Sequence, residues 1–118
     1  MLVLRREGLK LRYVEGELPA RGSANIPVRV EDDGTYSGYT AKMMIGFGFA
    51  FRRSFEMKNP DANDSTLYTL PAEFFAEGGE TCIGMMLISG DVQETTNQLE
   101  FHILETPYRL VELPITDV

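Results

Sequence analysis

The chain has 118 residues, which is enough for a single domain with one hydrophobic core of ordinary extent. Its hydrophobic fraction of 43% and charged fraction of 25% are those of a globular protein rather than a disordered one. The net charge of −7 disfavours nucleic acid and an anionic membrane surface as partners, because phosphate binding needs concentrated lysine and arginine.

The start of the chain and its cysteine content bear on the cellular compartment. Arg5 and Arg6 interrupt the only apolar start, so we expect no signal peptide. No run approaches the ~20 apolar residues of a membrane helix. The one cysteine, Cys82, has no partner for an intramolecular disulfide. These features predict a protein made in a reducing cytoplasm, whose fold does not rely on disulfides.

Short strands separated by turn signals follow one another along the chain. A basic cluster comes first and is interpreted as a solvated strand face; its members are Arg5, Arg6, Lys10 and Arg12. The predicted strands cover residues 9–14, 26–30, 43–51, 66–70, 82–88 and 98–104. Six or seven strands at this spacing predict an all-β sandwich or small barrel, formed as one domain over residues 1–118.

The run 43–51 has the clearest pattern in the chain. Its odd positions hold Met, Ile and Phe, whereas its even positions hold Met, Gly, Gly and Ala. Side chains alternate between the two faces of a strand, so one face of this strand is bulky and the other almost bare. We expect one face in a core and something packed close on the other, and the pattern leaves open which face the core covers. The glycines could line a groove for a partner's backbone.

Three other segments complete the predicted organisation. Residues 82–88 are apolar on both faces, which predicts a central strand covered on both sides. Residues 71–77 begin with Pro71 and are followed by Gly78, which predicts one short helix anchored by Phe74 and Phe75. The tail, residues 106–118, contains two prolines and predicts an edge strand or a connector to another domain or subunit.

The residues that could carry chemistry do not form a recognisable site. The single histidine, His102, is expected to be solvated or paired across strands, and Cys82 to be a buried, inert thiol. One His and one Cys cannot complete a tetrahedral zinc shell. Residues 61–64 predict a turn, with a calcium site as the weaker alternative. We therefore expect no enzyme activity, no metal and no cofactor.

Two exposed tyrosines suggest a binding surface. Tyr36 and Tyr39 lie in a polar, glycine-containing segment and could form a protein contact or a platform on which a sugar stacks. Tyrosines in such a segment more often pack their rings at a strand entry and leave the hydroxyl in water. In the tail, Tyr108 and Leu110 are large side chains in a mixed segment. Because such side chains make good interface anchors, these four residues are the predicted contact residues.

The order of segments between residues 24 and 104 resembles the N-terminal domain of phage baseplate upper proteins, from tails that infect Gram-positive bacteria. The matching segments are 26–30, 41–51, 67–75, the glycine turn 78–79, 81–88, the Thr-rich turn 94–97 and 99–103. The charged start and the proline-containing tail depart from the family pattern. The resemblance rests on pattern and order rather than on a diagnostic motif.

The resemblance implies an immunoglobulin-like antiparallel β-sandwich that acts as a structural part of a phage or prophage tail. Its expected partners are other tail or baseplate proteins and further copies of itself, and its expected location is the virion tail, after synthesis in the bacterial cytoplasm. Because one fold serves many functions, a carbohydrate-binding module on the same sandwich is the alternative.

Overall fold

The computed structural model describes residues 1–47 and 56–105, and these form nine β-strands and one 3-10 turn. The strands are β1 (Leu2–Glu7), β2 (Lys10–Glu15), β3 (Ile26–Asp32), β4 (Thr40–Phe47), β5 (Glu56–Lys58), β6 (Leu67–Leu70), β7 (Gly79–Ser89), β8 (Val92–Thr95) and β9 (Leu99–Ile103). The 3-10 turn, Ala72–Phe75, lies between β6 and β7. Within these ranges, no helix has the length and apolar character needed to cross a membrane.

The strands form two sheets. Sheet A has the order β2-β1-β3-β6, and sheet B has the order β5-β4-β7-β8, with β9 also paired to β7. The described strand pairs are antiparallel except β1 and β3, which run parallel. The predicted all-β sandwich is confirmed, and β7 is the central strand that its apolar sequence indicated.

The hydrophobic core lies between the two sheets and follows from side-chain alternation. On β1, Leu2 and Leu4 are fully buried and Val3 between them is not. Burying an aliphatic or aromatic side chain of this size contributes about 1.5–3 kcal/mol. The buried core residues are Leu2, Leu4, Leu11, Val28, Val30, Met43, Ile45, Tyr68, Leu70, Phe74, Phe75, Ile83, Met85 and Ile103.

Strand β4 shows which of its faces is covered by the core. Met43 and Ile45 are fully buried in the core, opposite Met85 and Ile83 of β7. Met44 therefore belongs to the outer face of sheet B, away from sheet A. The structure thus shows which face the core covers, namely the bulky one in this part of the strand. Residues 48–51 of the predicted run lie outside the described residues.

The predicted helix over residues 71–77 is a four-residue 3-10 turn. Pro71 is extended and its side chain offers no hydrogen-bonding cap, so little favours further helical turns. Gly78 and Gly79 follow with φ of +71° and +82°, a left-handed conformation that suits glycine and ends the turn. Phe74 and Phe75 are buried as expected, with ring centroids 5.2 Å apart.

Three strands were not predicted, namely β1, β5 and β8. On β1 the basic cluster concealed the alternation of apolar and polar residues, because the charged Arg6 lies on the same face of the strand as Leu2 and Leu4. The solvated-face interpretation fits Arg5 and Arg12, whose side chains are 43% and 48% exposed. It is wrong for Arg6, which is 1% exposed, because this guanidinium has its own hydrogen-bond partners inside the fold.

Strands β8 and β9 run along the same side of β7, separated by a β-bulge. Between the pairs Met86–Thr95 and Ile83–Leu99, residues 96–98 lie opposite only residues 84–85. The Thr96 hydroxyl accepts from the Met85 amide at 3.0 Å and donates to the Asn97 carbonyl at 2.8 Å. The predicted Thr-rich turn is therefore a bulge within one line of pairing, which re-aims a side chain.

The re-aimed side chain is that of Asn97, and it joins the two sheets. Its Oδ1 accepts from the Leu11 amide at 2.7 Å, and its Nδ2 donates to the Leu11 carbonyl at 3.0 Å. Leu11 lies on β2, the edge strand of sheet A, so the Asn97 amide satisfies the same two backbone groups that a neighbouring strand would. This pair of hydrogen bonds closes the sandwich along one side.

The opposite edge of sheet A is covered by the loop before β6. The Asp61 amide donates to the Leu67 carbonyl at 2.8 Å, and the Leu67 amide donates to the Asp64 carbonyl at 3.1 Å. Arg29 fixes the loop from β3, donating to Asp64 Oδ2 at 3.0 Å and to Thr66 Oγ1 at 2.6 Å. Residues 61–64 thus form the predicted turn.

Replacing Asn97 by alanine should loosen the β2 edge. The change removes two hydrogen bonds and is expected to destabilise the fold by about 1–3 kcal/mol in urea unfolding. Hydrogen exchange of the Leu11 amide should become much faster, because its acceptor is lost. Asn63→Ala, in the exposed loop before β6, is the matched control and should leave Leu11 exchange unchanged. Unaltered Leu11 exchange in the Asn97 variant would refute the role given to this amide.

Asp64 should keep its charge to a lower pH than an ordinary aspartate. Hydrogen bonds from the Thr66 hydroxyl and amide, and then from Arg29, lower the pKa of Asp64 from 3.8 to about 2. Because the folded-state pKa is the lower one, the stabilisation is present above 3.8 and is lost as the pH falls through about 2. Carboxyl-carbon NMR titration should show Thr66→Val raising the Asp64 pKa, whereas Thr69→Val, on the exposed side of β6, should not change it.

Candidate functional site

A buried arginine organises one end of the sandwich. Arg6 lies at the end of β1, on the side of the strand that faces the core, and is 1% exposed. It donates to Asp32 Oδ1 at 2.6 Å and to the Gly8 carbonyl at 2.7 Å. A buried charge is stable only when it is paired and hydrogen-bonded, and both conditions are met here.

The loop between β3 and β4 folds around this arginine. Asp32 Oδ1 also accepts from the Gly34 amide at 2.6 Å, and Asp33 Oδ1 accepts from the Thr35 amide at 2.9 Å. The Gly8 amide donates to Asp33 Oδ2 at 3.0 Å, which ties the loop to the β1–β2 hairpin. Hydrogen bonds from Thr35 are the main reason why the pKa of Asp33 is lowered. Aspartates that bond the backbone two residues ahead favour turns, so the Asp-Asp-Gly sequence specifies this loop.

Tyr36 sits at the centre of the loop and is held on three sides. The Arg6 guanidinium carbon lies 5.3 Å from the centroid of its ring, in cation–π geometry. The Tyr39 ring packs edge-on at a centroid distance of 4.9 Å. The Tyr36 hydroxyl donates to Glu94 Oε1 of β8 at 3.1 Å, and partial burial together with this carboxylate raises the pKa of Tyr36.

The structure brings two of the four predicted contact residues together. Tyr36 and Tyr39 touch each other and are both half-buried. Since Arg6 lies against the Tyr36 ring, that face of the ring is not free to stack on a sugar. Tyr36 fastens the loop to the two sheets, while the tail residues Tyr108 and Leu110 lie outside the described residues, as does the predicted edge strand or connector over 106–118.

Two concave regions lie near Arg6. A cavity of about 90 Å³ is lined by Arg6, Tyr68, Thr66 and their neighbours. An open groove on the outer surface of sheet A is lined by Arg5, Glu7, Glu31, Asp32 and Asp33. Across the part of the chain that the structure describes, no group of three or more His, Cys, Asp or Glu side chains could hold a metal ion.

The remaining candidate chemical residues take the positions expected from the sequence. His102 is exposed and lies directly opposite Glu80, with its Nδ1 atom 3.0 Å from Glu80 Oε2. Cys82 is a buried free thiol, and its burial raises its pKa. A thiol with a raised pKa is a poor nucleophile, because the thiolate is the reactive form.

The outer face of sheet A is charged and internally paired. Arg5 contacts Glu31 at 2.6 Å, Arg12 contacts Glu7 at 3.3 Å, and Arg29 contacts Asp64 at 3.0 Å. The side chains in these pairs are between 36% and 48% exposed. Solvated ion pairs of this kind contribute little to stability but keep a surface hydrated.

The outer face of sheet B is different, and we call it the methionine face. Register places on it Thr40, Lys42, Met44 and Gly46 of β4, Met57 of β5, Glu80, Cys82, Gly84, Met86 and Ile88 of β7, Gln93 and Thr95 of β8, and Glu100 and His102 of β9. Met57 is 41% exposed and Met86 half-buried, whereas Met44 and Cys82 are buried. The residues between Lys42 and Glu100 are uncharged, and the contact between Glu80 and His102 lies at one end of the face. The centre of this face therefore differs from the ion-paired outer face of sheet A.

Comparison with known proteins gives a likeness of fold. No family model matches the sequence, and no curated protein matches it. Among solved structures, the chain is similar to the N-terminal domain of phage TP901-1 ORF48, with 13% identity and a TM-score of 0.48. The match covers 88% of this chain and 94% of that one. The resemblance inferred from the order of segments and this match name the same kind of phage domain, and no site, role or partner is carried over from the match.

Sequence reasoning missed Arg6 and Asn97. The signal for Arg6 was the alternation Leu2, Leu4, Arg6, which places the arginine on the core side of a strand. Asn97 had no comparable signal, because its partner Leu11 is 86 residues away in the sequence. The sequence pattern showed only the β4 part of the methionine face, as the glycine-bearing side of that strand. The rest of the face comes from other strands, which the sequence does not place beside β4.

Tyr36→Phe should destabilise the fold while keeping the ring contacts. It removes the hydrogen bond to Glu94, for which we expect a loss of about 0.5–1.5 kcal/mol in urea unfolding. Tyr39→Phe is the control, since it keeps the edge-on ring contact. An equal loss in both variants would show that the Glu94 hydrogen bond is not what distinguishes Tyr36.

Proposed function

We propose that this chain is a structural domain of a phage or prophage tail or baseplate that acts through protein–protein assembly. Its proposed partners are other tail proteins and further copies of itself. The phage assignment is supported by the order of segments between residues 24 and 104, including the strand rich in alternating apolar residues and the bulge before β9. The proposed domain is immunoglobulin-like and non-catalytic, and it is located in the virion tail after synthesis in the bacterial cytoplasm.

The observation that carries the assembly role is the contrast between the two outer faces. The face of sheet A is covered by ion pairs, whereas the methionine face is uncharged between Lys42 and Glu100. Surfaces that stay in water gain from paired charges, while uncharged, methionine-containing surfaces suit a contact with another protein. Methionine is flexible and polarisable, so it adapts well to a facing surface.

The two edges of sheet A make addition of a partner strand there less suitable. Asn97 uses both outward backbone groups of Leu11 on β2, and the loop before β6 bonds the amide and carbonyl of Leu67 at the start of that strand. A strand added to either edge would have to displace these contacts. The proposed docking therefore uses a sheet face rather than an edge of sheet A.

The rigidity of the domain suits a mechanical part. The two sheets are joined by the Asn97 amide at one side and by the Arg6–Tyr36–Glu94 contacts at one end. A domain whose sheets cannot slide can transmit position from one neighbour to the next. The net charge of −7 supports protein partners over nucleic acid.

The proposal predicts that the chain is part of a tail particle. After prophage induction in the strain that encodes it, the chain should sediment with tail particles, and gold-labelled antibody should mark one defined position on the tail. A strain lacking the gene is the control, and its tails should be incomplete. Recovery of the chain only in the unsedimented fraction, beside complete tails, would refute the proposed function.

A further inference from the structure

The small cavity at the Arg6 end of the sandwich combines buried polar groups with access to solvent. Its volume is about 90 Å³, and its lining includes three side chains that are between 1% and 2% exposed, those of Arg6, Tyr68 and Met85. Ser65 and Asp32 also line it, and both are exposed. The cavity therefore leads from the surface to a buried guanidinium and a buried phenol.

The Tyr68 hydroxyl is buried with only a long hydrogen bond among the described residues. It donates to the Ala41 carbonyl at 3.5 Å, whereas an ordinary O–H···O distance is about 2.7–2.8 Å. Burial is the main cause that raises the pKa of Tyr68, to about 12, so the hydroxyl keeps its proton and needs an acceptor. Because a buried hydroxyl without a good hydrogen bond is unfavourable, we expect a further partner for it inside the cavity.

Arg6 can supply further donors to the same space. Of its five N–H groups, two donate to the acceptors already named, Asp32 and the Gly8 carbonyl. The charges of Arg6 and Asp32 also act in opposite directions on the pKa of Tyr68, so all three groups lie close together. The polar part of the cavity thus offers donors from Arg6 and Tyr68 and an acceptor from Asp32.

The charges around the cavity favour a neutral ligand. The Arg6 guanidinium is already paired with Asp32 at 2.6 Å, and Asp33 Oδ1 lies 4.0 Å from it. A bound anion would therefore be repelled by two carboxylates, and a bound cation by the guanidinium. An apolar molecule would leave the buried hydroxyl without a partner. Water is neutral, donates and accepts, and at ~30 Å³ for each molecule the cavity has room for about three.

We propose that this cavity binds water, and that one molecule accepts hydrogen bonds from the Tyr68 hydroxyl and the Arg6 guanidinium. A buried water typically makes about three hydrogen bonds, and Ala41 and Asp32, which line the same cavity, offer acceptors for its own protons. Tyr68 belongs to sheet A and Ala41 to sheet B, so the water links the sheets beside Arg6. This chain alone forms the site, which does not depend on the proposed tail function.

Cross-relaxation between water and protein protons, measured by NMR, tests the site. In the wild-type chain, the methyl groups of Met85 and Val30, which line the cavity, should show cross peaks to water with the sign of a molecule that stays bound longer than the protein takes to tumble. Ala41→Ile should abolish these cross peaks, because its larger side chain faces the core and fills the cavity while every hydroxyl remains. Ala72→Ile, on the exposed side of the 3-10 turn, is the matched control and should leave them unchanged.

A second variant covers the case in which Ala41→Ile does not fold. Tyr68→Phe removes one donor to the water and should weaken the same cross peaks, while the amide spectrum shows that the chain is folded. Three results would overturn the proposal. They are a wild-type chain whose Met85 and Val30 methyl groups show no such cross peaks, cross peaks that persist in a folded Ala41→Ile or Tyr68→Phe chain, and sodium acetate that shifts the Arg6 signals, which would reveal an anion site instead.

Discussion

The Asn97 side chain connects two sheets that otherwise meet mainly through apolar packing. Apolar packing is not directional, so it holds two layers together without fixing their lateral position. The paired hydrogen bonds to the Leu11 amide and carbonyl supply that direction, because both must be aligned at once. The bulge at residues 96–98 is what aims the amide, and Gly84 opposite it leaves room for the Gln98 stem. The edge, the bulge and the glycine therefore form one structural unit.

The other end of the sandwich is fixed by charge. Burying the Arg6 guanidinium would be unfavourable without partners, and Asp32, the Gly8 carbonyl and the Tyr36 ring provide them. These groups come from β3, the first hairpin and the loop after β3, so the arginine ties three separate segments together. The arrangement gives Tyr36 an internal role that its polar sequence context did not suggest. A tyrosine beside glycine and serine looks like a free surface side chain until its ring and hydroxyl are both found engaged.

The division of surfaces also follows from alternation. On sheet A, the outward positions of β1, β2 and β3 carry Arg5, Arg12, Arg29 and their acidic partners, so this surface is hydrated. On sheet B, the central outward positions of β4 and β7 carry methionine, cysteine and glycine, and Lys42 and Glu80 lie farther out. One sandwich therefore presents a surface suited to water and a surface suited to another protein. With Leu11 and Leu67 at the two edges of sheet A already bonded, the methionine face is the surface we assign to assembly.

Much of the fold could be predicted because it depends on local patterns. Period-two alternation identified β3, β4, β6 and β9, and the run 82–88 identified the central strand. The pairing of His102 and the burial of Cys82 followed from their places in those strands. β5 and β8 were not predicted, since three or four residues are too few to establish a period-two alternation. The immunoglobulin-like and oligomeric aspects stay predictions. The contact residues in the tail lie outside the described residues.

By itself, the sequence determined an all-β domain, the core-facing side of most strands, and the turns specified by Asp-Asp-Gly and by residues 61–64. These features depend on residues within a few positions of one another. Only the tertiary structure decided that β1 and β3 run parallel, that Asn97 bonds to Leu11, that Arg6 is buried against Tyr36, and that Tyr68 and Ala41 line one cavity with Arg6. Those relations join residues tens of positions apart, and the free energy that selects among such pairings comes from packing and hydrogen bonding in the whole fold rather than from local preference.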